Sequence, residues 1–248
     1  NPAERFSSIE FSPRGNIIQA ANNTTFDNLC IKYGGSHGIG SGTVKNLTVT
    51  NCELGWIGGS IQSENIFGRN HPTRFGNAIE IYGGCENFVV SNCYIYQVYD
   101  AAITHQHQGD TDETLVMKNV LYTNNLIEDC VYSIEYFLGR KDTNQSHYME
   151  NILVANNLMR RAGYGWGKQR PDKETPAHIK SWCHHINSVS RTIYLIVVRT
   201  ICSILQLRRR SGCLHSRKTP TYSIATRWPA RGVARGYAMC MMIRLRNR

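Results

Sequence analysis

The densest run of polar, proton-bearing side chains is Tyr99-Asp100-Ala101-Ala102-Ile103-Thr104-His105-Gln106-His107-Gln108. An imidazole titrates near neutral pH, so His105 is a candidate general base. Gln106 and His107 on the same strand end, with Asp100 at the turn before it, form an outward row of donors and acceptors suited to a ligand rich in hydroxyls. Glu80 stands between Ile79 and Ile81, and Glu135 follows Ile134. Alternation then turns both carboxylates outward while the isoleucines face a core. Two carboxylates facing one groove can divide acid and base work between them. Lys180 follows Ile179 in the same phase and supplies either a base or a fixed cation. Tyr82, Tyr136 and Trp166, with Trp56 and Tyr164, lie at strand ends where flat rings can stack on a ligand. Each of these residues also has a plain structural role open to it: a solvated Glu, a turn-capping Asp, a corner-packing ring.

What must position these residues is a repeat. The pattern Asn, apolar, any, apolar or Tyr, any, Asn, then Cys or Asn occurs four times, at Asn46–Cys52, Asn87–Cys93, Asn119–Asn125 and Asn151–Asn157. The starts are separated by 41, 32 and 32 residues, and a weaker relative begins at Asn28. Short apolar-centred strands follow: first Ser60-Ile61-Gln62, Ala102-Ile103-Thr104 and Ser133-Ile134-Glu135. After a variable loop come Ala78–Tyr82, Leu115–Met117, His147–Met149 and His178–Lys180. No segment sustains a helical period. Such short strands bury no core alone. Stacked coil on coil at about 4.8 Å, they pair in parallel and fill an interior with apolar columns. An Asn at a corner tolerates left-handed backbone angles and can bond to the Asn above and below it.

Composition sets further bounds. The formal charge of +10 suggests a nucleic-acid partner only until it is divided. Residues 1–182 hold 15 Lys+Arg and all 18 acids, a net of −3, whereas residues 183–248 hold 13 Lys+Arg and no acid. No apolar run approaches the about 20 residues that a membrane-spanning helix needs. The five cysteines before residue 183 include no CxxC pair, which supports neither a zinc site nor a disulfide framework. Gly34-Gly35-Ser36-His37-Gly38 opens no helix after a strand, so it is not read as a nucleotide loop. The chain starts at Asn1 without a leader, and we expect its coil stack to be incomplete at that end.

The repeat period, the corner Asn residues and sequences such as Asn77-Ala78-Ile79-Glu80-Ile81-Tyr82-Gly83-Gly84 resemble the right-handed parallel β-helix of the pectate-lyase-like superfamily, over about residues 20–182. The resemblance implies an all-β solenoid of about five to six coils in residues 1–182, with an irregular segment in 183–248. It also implies a polysaccharide substrate in a groove along one sheet, cleaved by elimination or hydrolysis, and a secreted or periplasmic monomer. In that frame His105, Glu80, Glu135 and Lys180 are the catalytic candidates. Asp100, Gln106, His107, Tyr82, Tyr136 and Trp166 are the candidates for substrate binding. Some β-helix lyases hold Ca²⁺, but no cluster of three acids is present, so no metal or other cofactor is expected. The paired-Asp pattern of β-helix polygalacturonases is missing from residues 1–182. Two other functions compete: a non-catalytic glycan-binding or surface-adhesive β-helix, and a basic tail that binds nucleic acid.

Residues 183–248 break the repeat. Twelve of their 13 basic residues are Arg, and the Asn-Asn corner due near residue 190 is absent. From Arg191 to Cys202 a one-base shift permits a reading that begins Asn-Asn-Leu and places a Tyr at the ninth position, as Tyr132 follows Asn124. We therefore expect this segment to be out of frame or disordered, with regular β-structure ending close to residue 182. Sequencing the gene checks this: one of the shifted frames should spell Asn-Asn-Leu, and its absence from both would end the idea.

Overall fold

A computed structural model describes residues 15–63, 72–107, 114–138, 148–169, 176–181, 193–197 and 241–243. The chain is a parallel β-helix whose coils contribute to three sheets. Sheet A stacks β1 (Ile18–Gln19), β4 (Ile39–Ser41), β9 (Ile79–Tyr82), β12 (Ala101–His107), β15 (Tyr132–Leu138) and β18 (Ala177–Ser181). Sheet B begins with β2 (Thr24–Asp27), β5 (Val44–Thr50), β10 (Cys85–Ser91), β13 (Val116–Thr123) and β16 (Tyr148–Ala155). It ends with β19 (Ile193–Val197) and β20 (Met241–Ile243). Sheet C holds β3 (Cys30–Lys32), β6 (Glu53–Ile57), β11 (Tyr94–Val98), β14 (Leu126–Glu128) and β17 (Leu158–Arg160). The six levels of sheet A match the expected coil number.

Parallel register makes columns. Ile18, Ile39, Ile79, Ile103, Ile134 and Ile179 stand opposite one another on successive strands of sheet A. Ile39, Ile79, Ile103 and Ile134 are fully buried, so the inward phase read from alternation holds. Leu54, Ile95, Ile127 and Met159 form the facing column from sheet C.

Asn does two jobs in this frame. Asn46, Asn87, Asn119 and Asn151 lie inside the sheet B strands rather than at corners, with φ between 54° and 56°. The left-handed residue resets the alternation, so that both Val44 and Leu47, three apart, face the core. Their amides form an exposed ladder: Asn46 donates to Asn23 at 2.7 Å, Asn87 to Asn46 at 2.7 Å, Asn119 to Asn87 at 2.9 Å and Asn151 to Asn119 at 3.1 Å. The true corners are Asn51, Asn92, Asn124 and Asn156, also left-handed. Just past them, Asn125 donates to Asn157 inside the stack at 2.9 Å, while Cys52 and Cys93 fill the same column as buried thiols.

Three sequence expectations are corrected. Ser60-Ile61-Gln62 does not belong to the column of Ile103 and Ile134. It lies in β7 (Ile61–Ser63), which pairs antiparallel with β8 (Thr73–Arg74), and this hairpin fills the one long repeat of 41 residues. Its place in sheet A is taken by Ile79. Sheet C had no strand assigned in the repeat, because its strands follow the Asn corner without a break. Regular pairing also does not end near residue 182: β19 joins β16 in parallel, with Ile193 opposite Ile152, and β20 pairs antiparallel with β19. The remaining residues of 183–248, on which the out-of-frame expectation rests, lie outside the described residues.

Replacing Ile103 by Ala removes the centre of the isoleucine column. It should cost about 2–5 kcal/mol in urea unfolding, the usual range for a buried large-to-small change.

Candidate functional site

The outward face of sheet A collects the polar residues. Glu80 stands opposite Thr104, Thr104 opposite Glu135, and Glu135 opposite Lys180. Neighbouring rungs are about 4.8 Å apart, so the two carboxylate strands lie about 10 Å apart with Thr104 between them. Glu80 is 7%, Thr104 0% and Glu135 5% exposed, so this outward face is shielded from water over its middle.

Each carboxylate has a basic partner on its far side. Glu135 Oε1 accepts from Lys180 Nζ at 2.8 Å, and that ammonium sits 4.2 Å from the centre of the Tyr132 ring. Glu80 Oε2 lies 2.5 Å from His37 Nδ1 and accepts from Asn77 Nδ2 at 3.0 Å. Its Oε1 accepts from Gln106 Nε2 at 3.3 Å. His37 Nδ1 is also 3.1 Å from the Asn77 backbone nitrogen. One nitrogen cannot both donate to Glu80 and accept from Asn77. The Asn77 N–H points at this nitrogen, but the carboxylate contact is shorter and charge-assisted, and on that ground we assign the proton to Nδ1. Thr104 Oγ1, between the two pairs, is buried without a hydrogen-bond partner.

Local backbone explains the His37–Glu80 contact. Gly38 N donates to Asn77 O at 3.0 Å, continuing the β4–β9 ladder past the strand end. A Cβ on Gly38 would come within 2.6 Å of Ala78 O, so only glycine lets this segment close against β9. His37 is not marked by alternation, because it sits in the glycine-rich stretch Gly34–Gly38, outside any strand. Gly38-Ile39-Gly40 carries the signal: Ile39 is in phase with Ile79, which puts His37 level with Asn77. Thr104 was legible by the same alternation as Glu80 and Glu135.

The other candidates divide. Glu80, Glu135, Lys180 and Gln106 gather on this face as described. Tyr82, opposite Gln106, is 42% exposed, and its ring lies 5.3 Å from that of half-buried His107. His105 is corrected. It points into the solenoid, fully buried, with Nδ1 2.6 Å from the Tyr122 hydroxyl and Nε2 buried without a partner. Burial pushes its imidazole down to about 3, so it is a neutral core residue and not a base facing solvent. Alternation requires this: Ile103 and His105 share a phase. Tyr136 is corrected with it, because the ring stacks on His105 inside the solenoid at 5.5 Å and 6°. Trp166 is held at a corner, its Nε1 donating to Gln97 O at 2.8 Å and its ring edge-on to Tyr99. Asp100 serves through its backbone oxygen, which accepts from Val131 N at 3.1 Å and Tyr132 N at 3.2 Å.

A second charged group, on the outer face of sheet C, is paired throughout. Lys32 meets Glu53 at 2.7 Å, Tyr96 donates to Glu53 at 2.9 Å, and Tyr94 donates to Glu128 at 2.6 Å. Arg160 and Arg161 also bind Glu128. The Lys32 ammonium, ahead of Tyr96, holds the Glu53 carboxyl below its ordinary range, and the Glu128 bond pushes the Tyr94 hydroxyl up to about 12. The partly exposed Lys32–Glu53 pair contributes little to stability, whereas Glu128 is 6% exposed and keeps its charge buried through its partners. Among the described residues no three His, Cys, Asp or Glu side chains gather as a metal site would need, and no helix is long and apolar enough to cross a membrane.

No family model, curated protein or solved structure matches the chain.

His105 makes stability pH-dependent. Its folded value is depressed below the ordinary 6.5, so the unfolded chain takes up the proton first as pH falls. Stability is complete above about pH 7 and should drop by roughly 2 kcal/mol by pH 5, continuing down toward pH 3. His107 and His178, also lowered by burial, act in the same direction. Urea midpoints at pH 7 and 5 should differ less in His105→Phe than in the wild type.

Proposed function

We propose that this chain is a carbohydrate-active β-helix protein of the pectate-lyase-like kind, which cleaves a polysaccharide by elimination or hydrolysis on the outward face of sheet A. The observation that carries the reading is the register Glu80–Thr104–Glu135–Lys180. It sets acid, hydroxyl, acid and ammonium one rung apart on rigid strands. A linear polymer lying along the solenoid axis meets one such group per rung, and exposed Tyr82 offers a ring for stacking on the same face. The Thr104 hydroxyl is the most telling part. A buried polar atom without a partner costs about 1–3 kcal/mol, a cost that a sugar hydroxyl bound there would offset. A bound sugar has to displace whatever shields the middle of the face. Doing so puts the reaction in a dry site where the charges of Glu80 and Glu135 act strongly.

Two features bear on the reaction type and point in opposite directions. The two-rung spacing of the carboxylates falls near the separation of about 6.5–9.5 Å used in inverting glycoside hydrolysis. The three donors on Glu80 favour instead a basic partner as the proton acceptor, as elimination beside a uronate requires. The full-length protein should therefore be incubated with uronate-containing and neutral polysaccharides. Ultraviolet absorbance of unsaturated ends reports elimination, and new reducing ends without that absorbance report hydrolysis. Retention of polymers in affinity electrophoresis with no product of either kind would replace the proposal with a glycan-binding module.

Thr104→Val separates function from folding. The swap removes an unpartnered hydroxyl, so the thermal midpoint should hold or rise, while turnover should fall about tenfold for one lost hydrogen bond in the transition state.

A further inference from the structure

Glu80 is placed to act through another residue. Its two oxygens receive His37 Nδ1, Asn77 Nδ2 and Gln106 Nε2, and a carboxylate so occupied has little capacity left for a substrate proton. His37 is the mirror case. In the tautomer with its proton on Nδ1 against Glu80, the ring carries its lone pair on Nε2. Among the described residues no hydrogen bond is made by Nε2, and the side chain keeps 13% exposure. Phe75 stacks on the ring at 5.6 Å and 29°, and Gly38, packed against Ala78 O, fixes the adjoining backbone. No other described imidazole has this arrangement. His105 faces the core, His178 is bonded to Ser133 Oγ at 3.1 Å, and His107 has its Nδ1 buried without a carboxylate behind it.

We infer that His37 is the proton-accepting catalytic residue of the sheet A face, with Glu80 as the residue that positions it and Asn77 and Gln106 holding Glu80 in turn. This rests on the polysaccharide-cleaving reading above. In elimination, Nε2 takes the proton from the carbon beside the uronate carboxyl. The freed electron pair becomes the carbon–carbon double bond, the glycosidic carbon–oxygen bond breaks, and the leaving oxygen takes a proton from water. In hydrolysis, Nε2 takes the proton of the attacking water, whose oxygen bonds to the anomeric carbon while the glycosidic oxygen leaves with a proton from solvent. In either case the imidazolium formed sits against the Glu80 carboxylate, which stabilises it, and returns its proton to water after product release.

The full-length wild type, His37→Ala, His37→Asn and Glu80→Gln should be compared on the polymer that the wild type cleaves. Both His37 variants should lose about 10²–10⁴-fold in kcat with KM little changed, the ordinary worth of a positioned base. Added imidazole should restore part of the His37→Ala rate and none of the Glu80→Gln rate. Nitrogen NMR of the labelled wild type should show the ring protonated on Nδ1, and Glu80→Gln should release that preference. This readout needs no substrate. Wild-type kcat in both His37 variants, or an Nε2-protonated ring in the wild type, overturns the assignment alone. A wild type that cleaves no polymer overturns the reading of the face and this assignment with it.

Discussion

Every coil of this protein hydrogen-bonds in parallel to the one before it, so a residue inherits its direction, inward or outward, from the residue one rung away. Side-chain chemistry is thereby sorted into columns. Isoleucine repeats on six levels of sheet A because each level presents the same slot to the same interior. The same rule aligns Glu80, Thr104, Glu135 and Lys180 outside it, two residue types apart in meaning and one peptide unit apart in space. Slipping any strand by one residue would exchange the two columns and bury the charges.

The left-handed Asn residues keep that register. The four long sheet B strands, β5, β10, β13 and β16, exceed what a single alternation can serve; in β5, Val44, Leu47 and Val49 all face inward. A kink at Asn46 changes the phase between the first two, and the amide that tolerates the kink also bonds to the next coil. The exposed ladder thus ties a conformational need to an intercoil bond. The left-handed residues at the ends of the sheet C strands are instead Tyr33, Asp129 and Arg161, just past β3, β14 and β17, and Trp56 and Gln97, the penultimate residues of β6 and β11. Their amide ladder is replaced by pairings such as Arg161 with Asp129 at 2.6 Å.

Polar groups fall into three environments with different consequences. His105 and Tyr122 are bonded to each other in a dry interior, where protonation is opposed by burial and no counter-charge is present. On sheet C every acid is matched by a cation: Glu53 lies near solvent with Lys32, and Glu128, as buried as the sheet A acids, is held by Arg160 and Arg161. The face of sheet A lies between these extremes: shielded like a core, charged like a surface, and with one hydroxyl left unpartnered. That combination is expensive for folding alone, and it is the physical ground for placing function there.

Periodicity determined the coil architecture, the inward isoleucines and the outward Glu80, Glu135 and Lys180, because parallel stacking repeats a local alternation that is written residue by residue. It also contained the inward direction of His105 and Tyr136, which follows from their sharing a phase with Ile103 and Ile134. What alternation could not hold was distance across coils. His37 and Glu80 are 43 positions apart, and the parallel pairing of β4 with β9 brings them level although the β7–β8 insertion lies between them in the chain. The hairpin lengthens one repeat without altering its rungs, so its effect on who meets whom is settled by backbone hydrogen bonds between β4 and β9. Which carboxylate acquires an imidazole and which an ammonium was therefore decided by tertiary structure, since the partner of each lies one coil beyond it in space and tens of residues away in the chain.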